Sequence, residues 1–143
     1  MYVAIDTSTN VASLAVVQEG LIVAEMTWRC GQNHSVQLLP GLSSLLERQG
    51  LDVMSAKGLI VARGPGSYNG LRVGLSTVKG LAFSLQIPVV GISTLEAEAY
   101  QQAETDLRVC TVLNALRGEI GTATYQMKGG EWRQLVVEHL TTV

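Results

Sequence analysis

The sequence predicts an α/β protein: three strands joined by tight turns, then alternating helices and strands, then a second set of three strands. Three observations carry this expectation. Near the start, strand-length apolar runs are separated by turn-forming clusters rather than by linkers. Downstream, such runs alternate with patterns of helical period. After Asp106 the three-strand pattern begins again.

The first strand is expected over Tyr2–Ile5. It is stopped by Asp6-Thr7-Ser8-Thr9-Asn10, a run of turn formers. Val11–Gln18 follows, meets the hairpin signal Glu19-Gly20, and leads at once into Leu21–Trp28, which makes an antiparallel meander. Asn33 and Ser35 are both able to cap a helix carrying Leu38, Leu39, Leu42, Leu45 and Leu46 on one broad face. Pro40 lies inside this pattern and should bend the helix or mark its true first turn, and Gly50 closes it. Gly58–Arg63 is a continuous apolar strand of the kind buried on both faces of a parallel sheet.

The loop Gly64–Gly70 then opens a second helix. Its main stripe is Leu71, Leu75, Val78, Ala82 and Leu85, with Val73, Gly80 and Phe83 forming a line beside it. Gly74 and Gly80 are costly inside a helix, so they are expected to admit a close neighbour. Pro88 ends the helix and Val89–Ile92 is a short strand. Ser93 with Glu96 reads as a capping box for a third helix reaching about Ala103.

This order, βββαβαβα, is ribonuclease H-like, and it is half of an actin-like two-lobed protein. Residues 1–106 are therefore expected to form an N-terminal ribonuclease H-like lobe. Residues 107–143 would start a second, truncated lobe of mostly antiparallel strands: Arg108–Asn114, Glu119–Met127 and Trp132–Leu140. No helix is expected to cover this second meander, whose edge would be unprotected. The first strands of the two meanders end alike, Ile5-Asp6-Thr7 against Leu113-Asn114-Ala115, as an internal duplication would leave them.

The chain has 143 residues, 47% of them hydrophobic and 15% charged, with a net charge of −2. Such a composition can build a core and excludes wholesale disorder. The low charge implies that some apolar surface is covered by a partner. No basic stripe exists, so contact with RNA is expected only through other subunits. Cys30 and Cys110 show no metal-type pairing and read as two reduced, buried or half-buried thiols. Asp6 interrupts the first apolar run too early for a signal peptide, and no apolar run approaches the roughly 20 residues of a membrane helix. A cytoplasmic protein is expected, with no metal and no cofactor.

Several segments carry chemistry-like patterns without completing them. Gly64 and Gly66 fit the start of a dinucleotide loop, but Asn69 stands at its third glycine, and no Lys follows Gly70 as a Walker loop requires. Pro65 spoils a nucleophile elbow around Ser67. Two readings remain: a tight strand-to-helix turn, or an anion held by the loop amides and the helix start. Asp6 either caps its turn or is the residue of a magnesium–phosphate site. The glycine expected after it is replaced by Thr7 and Ser8, and Asn114 at the matching end of the second meander cannot supply a metal with a charge. His34 reads as a cap or surface residue, and Arg63, Arg72 and Arg117 as turn-flanking cations able to meet phosphate.

Taken together, Tyr2–Ser8 (YVAIDTS), His34–Pro40 (HSVQLLP), Gly64–Gly74 (GPGSYNGLRVG), Lys79–Ala82 (KGLA) and Gly91–Ala97 (GISTLEA) resemble the TsaB/YeaZ family, with a looser match over Asn114–Tyr125. The resemblance implies an actin-like ATPase fold without nucleotide chemistry. It implies a non-catalytic scaffold that binds a TsaD-type transferase subunit, with a TsaE-type ATPase in the assembled complex, for threonylcarbamoyl transfer to tRNA adenosine. It also implies a homodimer in isolation that uses the same surface. Carried onto this sequence, that surface is Ser35, Leu38, Leu39, Leu42, Leu71, Gly74, Val78 and Ala82, and no residue is catalytic. Asp6, Thr7, Gly64, Gly66 and Ser67 would be a vestigial nucleotide site. The family usually has Asp where Asn114 stands, and its members run past the end of this chain. Gly74→Arg is expected to leave the sheet intact and block both assemblies. The alternative is an actin-like-fold ATPase or kinase with a degenerate nucleotide site. A glycoprotease is disfavoured because no metal motif or nucleophile–base pair is present.

Overall fold

A computed structural model describes residues 1–31, 33–104, 106–116 and 118–142. The chain divides into two compact units, Met1–Arg63 with Ser67–Ile92, and Gly64–Gly66 with Ser93–Val143.

The first unit holds a five-stranded mixed sheet. Its strands are β1 (Tyr2–Asp6), β2 (Val11–Gln18), β3 (Leu21–Arg29), β4 (Gly58–Ala62) and β5 (Val89–Ile92), in the order β3-β2-β1-β4-β5. The meander β1–β3 is antiparallel, while β4 adds to β1, and β5 to β4, in parallel. This is the arrangement expected from the element order. Registers Val3↔Val16 and Val3↔Leu59, with Ile5↔Leu14 and Ile5↔Val61, line these six side chains across one face of the sheet. All six are nearly or fully buried. Period-2 alternation in β2, where Ala12, Leu14 and Val16 are inward, is the sequence cause.

Two helices cover that row. Helix α1 (His34–Arg48) buries Leu38, Leu42, Leu45 and Leu46, four of the five leucines of the expected broad face, and leaves Leu39 half exposed. Pro40 lies well inside the helix and not in its first turn. Gly50, at φ +62, ends it, with Leu51 N–H closing back on the Leu46 carbonyl at 3.0 Å. Helix α2 (Tyr68–Leu85) is capped by the Ser67 hydroxyl, which accepts from Gly70 N–H at 3.3 Å. Its most buried line is Gly70, Gly74, Val78 and Ala82, with Leu71, Leu75 and Leu85 flanking it half buried. The expected leucine stripe is thus rotated toward the glycines, because the helix approaches the sheet most closely where it has no side chains.

The second unit contains α3 (Thr94–Tyr100) and an antiparallel sheet of β6 (Arg108–Leu116), β7 (Glu119–Lys128) and β8 (Glu131–Thr142). The Ser93 hydroxyl accepts from Glu96 N–H at 3.4 Å, as the capping-box reading expects, although the helix ends earlier than the sequence suggests. The β7–β8 turn is Gly129-Gly130, with both residues at positive φ, the conformation a two-residue hairpin needs. Leu95 and Ala99 of α3 pack on Ala123 and Tyr125 of β7, and the Tyr125 and Trp132 rings stack with centroids 5.5 Å apart. The sequence led to the expectation of a bare meander, and the structure overturns it. Helix α3 covers the meander, and for that reason the second unit starts at Ser93 rather than after residue 106.

Candidate functional site

The motif residues of the first unit meet where β1 turns into β2. The Asp6 carboxylate accepts from Ser8 N–H at 2.7 Å, the bond of a residue capping its own turn. Thr7 and Ser8 are buried, at 1% exposure each. The Thr7 hydroxyl donates to the Gly70 carbonyl at 2.8 Å, and the Ser8 carbonyl accepts from Ser67 N–H at 2.6 Å. Between these two bonds the first turn of α2 is fixed directly on the end of β1.

The glycines explain how it comes so close. A Cβ on Gly70 would lie far inside the van der Waals contact distance to the Thr7 carbonyl oxygen, and one on Gly74 would do the same to the Thr7 hydroxyl oxygen. Two glycines of the GPGSYNGLRVG run thus serve internal packing. This corrects the expectation that Gly74 opens a path for a partner. Its open side is taken by Thr7, so Gly74→Arg would disrupt the unit itself. Gly80, by contrast, has open space beside it.

His34 is also placed differently from its sequence reading. It is 4% exposed, and its Nε2 donates to the Thr9 carbonyl at 2.9 Å. A carbonyl can only accept, so Nε2 carries the proton. The β1–β2 turn is therefore gripped by the starts of both helices, through His34 on α1 and Ser67 on α2. The neighbouring backbone is tied as well, since Cys30 N–H donates to the Asn10 carbonyl at 3.0 Å.

Of the expected vestigial nucleotide residues, Asp6, Thr7 and Ser67 come together in the first unit, while Gly64 and Gly66 group with the second. There the Gly64 carbonyl accepts from Thr94 N–H at 2.9 Å. Asn114 is exposed in β6, next to an irregularity of register between Asn114 and Leu116. Arg117 lies outside the described residues. Cys30 is buried and Cys110 is exposed, which corrects the expectation of two sheltered thiols.

The expected partner surface divides in two. Leu38, Leu42, Val78 and Ala82 belong to the unit's own core, at 1%, 3%, 0% and 9% exposure, because the sheet row demands that helix face. Together with Gly74, they offer no side chain to a partner. Ser35 is exposed, Leu39 is 50% exposed and Leu71 is half buried. The exposed apolar side chains that sequence reasoning passed over are Val36 and Tyr68, at 71% and 76%; Phe83, at 79%, stood in the line beside the main stripe. An apolar residue out of phase with the buried spacing was the available signal.

No described helix is long and apolar enough to cross a membrane.

Comparison with known proteins places this geometry. The model of the family described as tRNA N6-adenosine threonylcarbamoyltransferase matches residues 23–143. The tRNA threonylcarbamoyladenosine biosynthesis protein TsaB of Bacillus subtilis is 37% identical over 93% of this chain and 58% of its own length. TsaB of Escherichia coli is 33% identical over 90% of this chain and 57% of its own length. This chain thus spans less than two thirds of either relative. The solved structure of YeaZ from Pseudomonas aeruginosa superposes with a TM-score of 0.87 at 33% identity, covering 99% of this chain and 67% of that one. The chain belongs to the TsaB (YeaZ) family, within the wider family that the threonylcarbamoyltransferase model describes.

Proposed function

We propose that this chain is a non-catalytic scaffold that binds a TsaD-type transferase subunit, with a TsaE-type ATPase in the assembled complex, in threonylcarbamoyl transfer to tRNA adenosine. The observation that carries the non-catalytic part is the packing of Gly70 and Gly74 on Thr7. Helix α2 packs directly against Thr7 at the end of β1, and Asp6 accepts from Ser8 N–H within its own turn. A phosphotransferase of actin-like fold needs that strand end open to phosphate and metal.

The partner surface in this reading is the solvent side of α1 and α2: Ser35, Val36, Leu39, Leu71 and Phe83. Large apolar side chains exposed on neighbouring helices are what a partner helix covers. The same face pairs two copies of the chain in isolation, so homodimer and TsaD complex compete. tRNA is engaged through the complex only, since this chain carries a net charge of −2.

Capture of the cognate TsaD by immobilised chain tests the proposal. A stable one-to-one association is expected. Failure to associate, with both proteins folded, would refute the scaffold role.

A further inference from the structure

The charge of α1 and α2 runs against that of the chain. These two helices carry three cations, Arg48, Arg72 and Lys79, against a single carboxylate, Glu47. The whole chain, by contrast, has a net charge of −2. All four of these side chains are exposed. Helix α2 contains no Asp or Glu over its 18 residues. The chain does not neutralise this charge itself: neither Arg72 nor Lys79 forms an ion pair among the described residues. Glu47 accepts from the Ser43 hydroxyl of its own helix at 2.8 Å.

Helical spacing gathers the two α2 cations on one side. Tyr68, Arg72, Lys79 and Phe83 recur at helical period opposite the buried line of Gly70, Gly74, Val78 and Ala82. All four are exposed, and Gly80 on the same side meets nothing within 4 Å, so this side of the helix is uncovered. Arg72 and Lys79 also border a groove of about 420 Å³ with Arg63, Tyr68, Leu71 and Leu75, and no carboxylate is among its described lining residues. Cations here are interleaved with large apolar side chains. A phosphate backbone rewards an unbroken run of cations, whereas a protein helix can match this mixture with apolar residues and carboxylates of its own. A second copy of the chain is a poor match. A two-fold axis sets the same face against itself, cation-rich against cation-rich.

We propose that the outer side of α2 is a site for an acidic partner helix: Arg72 and Lys79 pair with carboxylates of the TsaD-type subunit, and their charge favours that subunit over a second copy of the chain. This rests on the scaffold reading. It adds the chemistry by which one shared face tells its two occupants apart. Apolar contact at Leu71 and Phe83 serves both associations. Charge serves one and opposes the other, because like charges brought face to face cost affinity.

The test neutralises both cations in one variant, Arg72→Gln with Lys79→Gln, and measures two associations. Calorimetry reads binding to the cognate TsaD-type subunit, and sedimentation reads self-association. Both positions are exposed, so the variant should fold, and a urea midpoint close to the parent's checks this. A second variant, Arg108→Gln with Arg133→Gln, removes the same charge from exposed positions of the other unit and controls for net charge. The α2 variant should bind the TsaD-type subunit about tenfold more weakly, while its self-association stays equal or becomes tighter. Raising salt from about 50 to about 500 mM should weaken the parent's binding to the subunit and tighten its self-association. Subunit binding unchanged in the α2 variant overturns the proposal and leaves the scaffold reading standing. If the assembled complex then holds tRNA less tightly, the two cations contact RNA instead. The proposal is equally overturned if both associations weaken alike, or if the control variant loses as much subunit binding. A parent chain that does not bind the subunit at all overturns the proposal and the scaffold reading together.

Discussion

The hydroxyl of Thr7 donates to the carbonyl of Gly70 at 2.8 Å, across a contact so close that neither Gly70 nor Gly74 has room for a Cβ. One strand end and one helix start are thereby locked together. This contact converts a glycine-rich loop that resembles a phosphate cradle into a structural joint.

Glycine substitutions in α2 should separate by position. Gly74→Ala drives a methyl into the Thr7 hydroxyl and is expected to cost about 1–3 kcal/mol, the usual range for overpacking. Gly80→Ala meets open space in an exposed helix interior and should stabilise by about 0.5–1 kcal/mol. Urea unfolding of the two variants checks both signs. Equal stability of Gly74→Ala and the parent chain would mean that α2 does not sit on Thr7.

Nucleotide turnover should be absent or very slow. Asp6 Oδ1 accepts from Ser8 N–H, and Gly70 and Gly74 bring α2 hard against Thr7 at the end of β1. Asp6→Asn keeps an acceptor for Ser8 and should change neither fold nor turnover. Magnesium-dependent ATP hydrolysis at roughly 1 per second or faster, abolished by Asp6→Asn, would assign catalysis to this chain.

The isolated chain should hold tRNA weakly near physiological salt. Its charge balance is slightly negative, so little counterion release is available to drive binding. Filter binding with the cognate tRNA, with and without the TsaD partner, reads this directly. Submicromolar affinity of the chain alone would contradict it.

The element order, the sheet and the leucine face of α1 were legible in the sequence because each rests on local signals: strand alternation, turn clusters and helical period. Ser93 announced its own cap. What escaped were relations between distant segments. The buried side of α2 was misjudged because hydrophobic periodicity assigns no weight to glycine, whereas Gly70 and Gly74 make the closest approach of all. His34 read as a surface cap because its partner, the Thr9 carbonyl, belongs to a turn 25 residues earlier in the chain. Helix α3 was assigned to the first lobe by its position in the chain, although its Leu95 and Ala99 fit the Tyr125 face of the second sheet. Leu38, Leu42, Val78 and Ala82 were placed on a partner surface although they belong to the core, for one reason: the same helices supply both a core face and an outer face, and sequence spacing marks the core face first.

The scaffold role through α1 and α2 is tested most directly by titrating the cognate TsaD with the parent chain and with Leu39→Arg and Phe83→Arg. Both residues are at least half exposed, so the variants should fold, as urea midpoints close to the parent's would confirm. A specific interface on these helices would bury on the order of 1,200–2,000 Å² in total. An arginine at its centre should weaken both TsaD binding and self-association by about 2 kcal/mol or more, a factor of 30 or so. Parallel loss of both associations in folded variants is the predicted result. Folded variants that still dimerise and still bind TsaD at parental strength would contradict it.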